Sequence, residues 1–248
     1  MSRTSGQRGE RDDGTRRRAL VTGSNGGLGR AIVERLAAEG YDVVTMDISP
    51  PATTIVDLAN DELPLDALAD IDVCVSNAGI VDILSPAHRM SMAKWDRDLA
   101  VNLTGSFRVV QACLGGMRAR RDGRIIIMSS LAAALGSRGQ VAYSASKAGL
   151  IGMARAIAAE NAALGITANC VLPGMIATPK VLGMPAATME AVLDRGLPSG
   201  RLGQPAEVAA LVAYLGSEEA GYVTGQAIII DGGTHLGNLS LGNPAHGE

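Results

Sequence analysis

Two groups of residues have types and spacings that could do chemistry. Tyr143 and Lys147 stand at i and i+4 in the run Tyr143-Ser144-Ala145-Ser146-Lys147-Ala148-Gly149, a spacing that projects both side chains from one face of a helix. A free phenol has a pKa of about 10 and is a poor base at neutral pH. A neighbouring ammonium stabilises the phenolate and is expected to bring that value down. Such a phenol could take a proton from an alcohol or give one to a ketone. Ser130 follows an apolar run and could hydrogen-bond a polarised carbonyl oxygen. Ser129 is its rival, but strand alternation sends the two hydroxyls in opposite directions, so only one can serve. Far upstream, Thr22-Gly23-Ser24-Asn25-Gly26-Gly27-Leu28-Gly29 lies between a short apolar run and a helical one. Glycines in such a turn tolerate positive φ and let phosphate oxygens approach the backbone, while the following helix offers free N–H groups. Neither motif is specific alone: three spaced glycines also make an ordinary tight turn, and Tyr-x-x-x-Lys occurs by chance. Together they imply a dinucleotide cradle and an acid/base in one chain, the requirements of hydride transfer.

Asp47 closes the second strand candidate, 18 residues after Gly29. A carboxylate there accepts hydrogen bonds from both ribose hydroxyls of NAD and repels the 2′-phosphate of NADP. Ser24 and Asn25 bring no cation to offset that repulsion, so the expected cofactor is NAD(H) in preference to NADP(H).

These residues must be positioned by alternating elements. Strand candidates are Ala19–Thr22, Asp42–Met46, Thr53–Val56, Asp72–Ser76, Arg124–Ser129, Thr167–Leu172 and Ala227–Ile230. Most are continuous apolar runs, as expected of strands covered on both faces. Helix candidates are Leu28–Glu39, Lys94–Arg120, Ala142–Leu164 and Pro205–Gly216. The alternation predicts an α/β fold: one doubly wound Rossmann-type domain over 19–248, with a seven-stranded, mostly parallel sheet and helices on both faces. The link from Asp47 to Asp57 contains Pro50 and Pro51 and is too short for a crossover helix, so it should be a loop.

Composition narrows the function. The chain has 248 residues and a net charge of −3, which gives no general attraction to nucleic acid. No apolar run approaches the roughly 20 residues needed to span a bilayer. Aromatics are 2% of residues, so the core must be built from Ala, Val, Leu, Ile and Met. Residues 1–18 are rich in Arg, Gly, Asp and Ser and read as a disordered, solvated tail. Cys74, Cys113 and Cys170 have no metal-ligand spacing and read as small apolar residues of a reduced, cytoplasmic protein; no metal is expected.

On these motifs the chain resembles the short-chain dehydrogenase/reductase family from about Arg18 to Gly233, and in its C-terminal half the 3-oxoacyl-carrier-protein reductases of bacteria. The resemblance implies that Asn102, Ser130, Tyr143 and Lys147 form a catalytic tetrad. Asn102 would hold a helix irregularity, and Lys147 would also bind the nicotinamide ribose. Cofactor contacts would come from Gly23, Asn25, Gly27, Leu28, Gly29, Asp47, Tyr143 and Lys147. Asp57 and the adjoining Leu58 would meet the adenine, and Asn77-Ala78-Gly79 would lie beside the adenine ribose. In Pro173-Gly174-Met175-Ile176-Ala177-Thr178, Thr178 and the Ile176 backbone would hold the carboxamide. The resemblance also implies a lid over about 179–200, a pocket wall including Asp82, Ile83, Leu84 and His88, and a homotetramer built on the Lys94–Arg120 and Ala142–Leu164 helices. The substrate would be a small ketone or secondary alcohol. The alternatives are a 3-oxoacyl thioester, with Arg118, Arg120, Arg121 and Arg124 as candidates either to meet a carrier protein or simply to cap a helix end, or a cofactor-binding regulator without turnover.

Overall fold

The computed structural model describes Gly9, Arg11 and residues 14–81, 84–194 and 197–236. Seven strands form one sheet: β1 (Arg18–Thr22), β2 (Asp42–Asp47), β3 (Thr54–Ile55), β4 (Val73–Ser76), β5 (Gly123–Met128), β6 (Ile166–Pro173) and β7 (Ala227–Ile230). Their order is β3-β2-β1-β4-β5-β6-β7, and every pairing is parallel. The chain direction of travel across the sheet reverses between β1 and β4, which opens a crevice at the carboxyl ends of those two strands.

The helices are α1 (Gly27–Ala38), α2 (Leu65–Leu68), α3 (Met92–Leu99), α4 (Ser106–Arg120), α5 (Ala132–Leu135), α6 (Val141–Asn161), α7 (Pro179–Leu182), α8 (Ala186–Asp194) and α9 (Pro205–Gly216). Alternate strand residues feed two cores. Ala19, Val21, Val73, Val75, Ile126 and Val171 pack with Ile32 and Leu36 of α1 and Val208 and Val212 of α9. Leu20, Cys74, Ile125, Ile127, Cys170 and Leu172 pack with Val109, Cys113 and Met117 of α4 and Leu150, Ala154 and Ile157 of α6. Burial on both faces explains why the strands read as unbroken apolar runs. All three cysteines are free and buried, and burial pushes the Cys170 thiol up to about 12, so it packs as an apolar group.

The link after Asp47 is the expected loop: β3 returns to pair beside β2 with Met46 opposite Thr54 and no helix between them. The helix expected over Lys94–Arg120 begins earlier, at Met92, where the Ser91 side chain accepts from the Lys94 N–H. It is interrupted by a π-helical turn, Ala100–Gly105.

The tail expectation needs correction at its inner end. Arg18 begins β1 and Arg17 is 2% exposed. The Arg17 guanidinium pairs with Asp122 at 2.8 Å, and Arg11 pairs with Asp70 and Asp72 at 2.8 and 2.9 Å. The carboxylates on the amino-terminal edge of the sheet give these arginines partners that local composition does not show. Residues 1–8, 10, 12 and 13 lie outside the described residues, as do Asp82 and Ile83 of the expected pocket wall.

Candidate active site

The glycine turn is set by backbone contacts. Gly23 has φ +64°, and a Cβ there would meet the Ala78 Cα at 2.8 Å. A Cβ on Gly29 would stand 2.1 Å from the Gly23 carbonyl oxygen, so only glycine lets α1 start this close to β1. The Thr22 hydroxyl accepts from the Asn77 and Ala78 N–H groups, both at 3.0 Å, and the Asn77 carboxamide donates to the Thr22 and Gly23 carbonyls at 2.9 and 3.1 Å. Asn77 and Ala78 thus lock β4 to the turn. Helix α1 has no side-chain cap and no acid in its first turn, so its N-terminal N–H groups suit a pyrophosphate.

Asp47 closes β2 beside that turn. Its carboxylate accepts from the Asn25 N–H at 2.9 Å, while the Asn25 carboxamide donates to the Ser49 carbonyl at 2.6 Å. No lysine or arginine pairs with Asp47 among the described residues.

At the crevice a cavity of about 210 Å³ is lined by Leu28, Asn77, Gly79, Ser130, Tyr143 and Lys147, with Pro173, Gly174, Ile176 and Thr178 across from them. Ten expected site residues therefore share one space. Ser129, the rival of Ser130, lines it too, as do Val81, Met128 and Val181, which were not foreseen. Val81 follows Gly79 by two, and Val181 follows Thr178 by three, so continuing each motif would have reached them. Gly27 lies just outside this lining, where a Cβ would meet the Pro179 ring at 2.5 Å.

The two serines differ: the Ser129 hydroxyl donates to the Lys147 carbonyl at 2.8 Å, whereas the Ser130 hydroxyl accepts from the Ala132 N–H at 3.2 Å and acts on the Tyr143 phenol. The Lys147 ammonium donates to the Met128 carbonyl at 2.8 Å and lies 5.8 Å from the centre of the Tyr143 ring. Gly79 makes this approach possible, since a Cβ there would stand 3.1 Å from both Lys147 Nζ and Asn102 Oδ1. Asn102 sits in the π-helical turn, buried. It accepts from the Ile80 N–H at 2.7 Å and donates to the Ile80 carbonyl at 2.9 Å and the Ser146 hydroxyl at 3.3 Å. The helix irregularity expected at Asn102 is present and ties the wall of the crevice to α6.

The electrostatics reverse one expectation. Burial pushes the Tyr143 phenol above its ordinary value, with the Ser130 hydrogen bond pulling the other way. Burial also lowers Lys147 from 10.5 to about 8. The low-dielectric cavity wall outweighs the attraction that the i, i+4 spacing suggested. A phenol held protonated is suited to donating a proton.

Asp57 and Leu58 stand apart from the cavity. The Asp57 carboxylate accepts from the Ala59 N–H and the Asn60 carboxamide, both at 2.9 Å, and these bonds hold it below the ordinary carboxylate value. Leu58 is buried in the core, with its carbonyl taken by Arg108. Val181 of α7 lines the cavity, and the Lys180 ammonium of the same helix donates to the Val81 carbonyl. Leu84 packs near Gly139 and is exposed, and His88 lies in an exposed turn. The expected carrier-docking arginines are at the opposite end of the sheet. Arg118 donates to Asn161, Arg120 to the Ala69 and Ile71 carbonyls, Arg121 to the Ala163 carbonyl, and Arg124 is buried against Ser217. They tie the end of α4 and the start of β5 to neighbouring segments rather than flank the cavity.

A family model described as enoyl-(acyl carrier protein) reductase matches residues 64–235. The chain belongs to the short-chain dehydrogenase/reductase family. This short-chain dehydrogenase/reductase is 37% identical over 241 residues to an acetoacetyl-CoA reductase of Rhizobium meliloti, covering 88% of this chain and 98% of the relative. It is 38% identical over 240 residues to a 3-oxoacyl-[acyl-carrier-protein] reductase of Vibrio cholerae, covering 88% and 97%. A crystal structure of a candidate 2-deoxy-D-gluconate 3-dehydrogenase from Agrobacterium tumefaciens, with bound NADP, is 33% identical. It superposes with a TM-score of 0.83 over 89% of this chain and 96% of that one. As a member of this family the protein is an oxidoreductase of keto and CH–OH groups that uses a nicotinamide dinucleotide.

Proposed function

We propose that the protein reduces a small ketone, in the first instance a short 3-oxoacyl thioester, with NADH, and that Tyr143 is the proton donor. One observation carries the reading: Ser130, Tyr143 and Lys147 line a single cavity with Leu28 of the glycine turn and Thr178 of the lid hinge. The dinucleotide, when bound, supplies the hydride. Gly23, Gly27, Gly29 and the uncapped start of α1 would hold its pyrophosphate, Asp47 its adenine ribose, and Lys147 its nicotinamide ribose. Asn25, Asn77, Ala78 and Gly79 would frame the ribose, Asp57 and Leu58 the adenine edge, and Pro173, Gly174, Ile176 and Thr178 the carboxamide.

Tyr143 and Ser130 would share the substrate oxygen. Ser130 polarises the carbonyl, and Tyr143, kept protonated by burial, donates as the oxygen gains charge. Lys147, anchored to the Met128 carbonyl, holds positive charge beside the phenolate that remains. Asn102 fixes Ile80 and, through Ser146, the helix that carries Tyr143 and Lys147. This intact set gives no support to a regulator without turnover.

The relatives' substrates support the thioester reading. The placement of Arg118, Arg120, Arg121 and Arg124 away from the cavity favours a coenzyme A thioester over one on a carrier protein. Asp47, which no cation pairs among the described residues, supports NAD(H) although a structural neighbour carries NADP. We further place the protein in the cytoplasm as a homotetramer. Among the described residues no helix is long and apolar enough to cross a membrane, and the free cysteines suit a reducing compartment. The α4 and α6 faces leave Phe107, Gly115 and Gly152 exposed, with open space around both glycines. The test is NADH and NADPH consumption with acetoacetyl-CoA and acetoacetyl carrier protein. Turnover of the coenzyme A substrate with NADH is expected. Turnover confined to NADPH would overturn the cofactor assignment, and inactivity toward both thioesters would overturn the substrate class.

A further inference from the structure

A second, much smaller cavity, of about 10 Å³, is lined by Val81, Met90, Lys94, Asp98, Gly139, Gln140 and Tyr143. Tyr143 and Val81 also line the main cavity, so the two spaces share part of one wall. The small one has room for about one water-sized polar atom.

Its polar wall is unusual. Asp98 is 3% exposed in its side chain, and the Lys94 ammonium lies 3.0 and 3.3 Å from its two oxygens. The Lys94 side chain keeps 23% of its surface exposed, and an i, i+4 pair only partly removed from water adds little to the stability of a fold. An ion pair of this kind beside an acid/base calls for another use. The ammonium has three N–H donors, and Asp98 engages only those on its own side. The Gln140 backbone N–H donates to the Ser137 carbonyl and its own carbonyl accepts from the Ser144 N–H, so its carboxamide is not needed for the turn. The wall is neutral overall and rich in donors. It suits an uncharged acceptor better than a free carboxylate, which Asp98 would repel.

Resting on the reading of Tyr143 as proton donor to a ketone, we propose that Lys94 and Gln140 form a specificity subsite. It takes a second carbonyl one methylene away from the reacting one, as in the thioester carbonyl of a 3-oxoacyl substrate. Asp98 is the positioning residue that holds Lys94 toward the cavity. With the reacting oxygen at Ser130 and Tyr143, the second oxygen falls beside the same ring, on its Lys94 side. The subsite thereby selects 1,3-dicarbonyl compounds over simple ketones.

The experiment compares NADH-linked reduction of acetoacetyl-CoA with that of S-(3-oxobutyl)-CoA, a thioether in which a methylene replaces the thioester carbonyl. The enzyme is tested as the full chain, as Lys94→Met/Asp98→Asn, which leaves no unpaired buried charge, and as Gln140→Leu. The preference for acetoacetyl-CoA in kcat/KM, relative to the thioether, should fall about tenfold or more in the double variant, as loss of a hydrogen bond to a charged group implies. The loss should appear mainly in KM, and Gln140→Leu should show a smaller fall of the same sign. NADH affinity, measured by fluorescence titration, confirms that each variant has kept its fold. An unchanged preference in whichever variant binds NADH normally overturns the subsite. Wild-type inactivity toward both compounds overturns the ketone-reduction reading itself, and the subsite with it.

Discussion

Lys147 makes a sharp prediction because burial has moved it against its usual direction. Its folded pKa of about 8 lies well below the ordinary 10.5, so folding favours the uncharged amine. Below about pH 8 both folded and unfolded chains carry the proton, and the folded state bears the full cost of a buried ammonium. Between about pH 8 and 10.5 the folded chain has released the proton that the unfolded chain still holds, so stability rises with pH across that window. At about 1.4 kcal/mol per unit the gap corresponds to about 3 kcal/mol. Lys147→Met removes this titration. It also strips the Met128 carbonyl of its donor, at a pH-independent cost of about 1–3 kcal/mol. Urea unfolding of wild type and variant, at neutral pH and near pH 10.5, isolates the effect, because titrating groups that do not interact with Lys147 cancel in the difference; Cys170, which does interact with it, is replaced by Ala in both proteins. Wild type should gain about 3 kcal/mol on the variant as pH rises. A difference that does not change with pH, or that moves the other way, would refute the reasoning that Lys147 is buried and costly when charged. The same titration should limit catalysis: ketone reduction should decline as pH rises through about 8, while Tyr143, pushed upward, stays protonated.

Asp47→Ala should narrow the preference for NADH over NADPH by tenfold or more, chiefly through a tighter fit for NADPH, as read from KM for each cofactor; the removed repulsion is that of a carboxylate against a phosphate. Gly29→Ala would press a methyl group 2.1 Å from the Gly23 carbonyl oxygen, against backbone that cannot swing aside. It should weaken NADH binding at least tenfold in fluorescence titration and lower the melting temperature by several degrees, as about 1–3 kcal/mol of overpacking implies; normal binding would show that α1 can shift freely.

Much of this was legible in the sequence, for physical reasons that also mark its limits. Strands covered on both faces must be apolar at every position, so β1, β4, β5 and β6 announced themselves, and the glycines of the first turn stood out because side chains cannot fit there. The short, partly exposed β3 was placed to within a residue or two by the prolines before it. Four-residue α2 has too little periodicity to be read at all. Arg11 and Arg17 looked solvated because their partners, Asp70, Asp72 and Asp122, are remote in sequence and meet them only when β1 and β4 pair. The same blindness misplaced the arginines at the end of α4, whose distance from the cavity depends on strand direction. For Tyr143 and Lys147 the spacing points to two residues that do line one cavity but to a phenol shifted down rather than up, because burial is a property of the whole crevice.

The most direct measurement is turnover and cofactor affinity of Tyr143→Phe. This change removes one oxygen from a ring that otherwise keeps its packing. Loss of the proton donor should reduce NADH-dependent reduction of acetoacetyl-CoA by about 10²–10⁴-fold in kcat, while NADH still binds with nearly wild-type affinity. A variant that retains a substantial fraction of wild-type kcat would contradict the account at its centre.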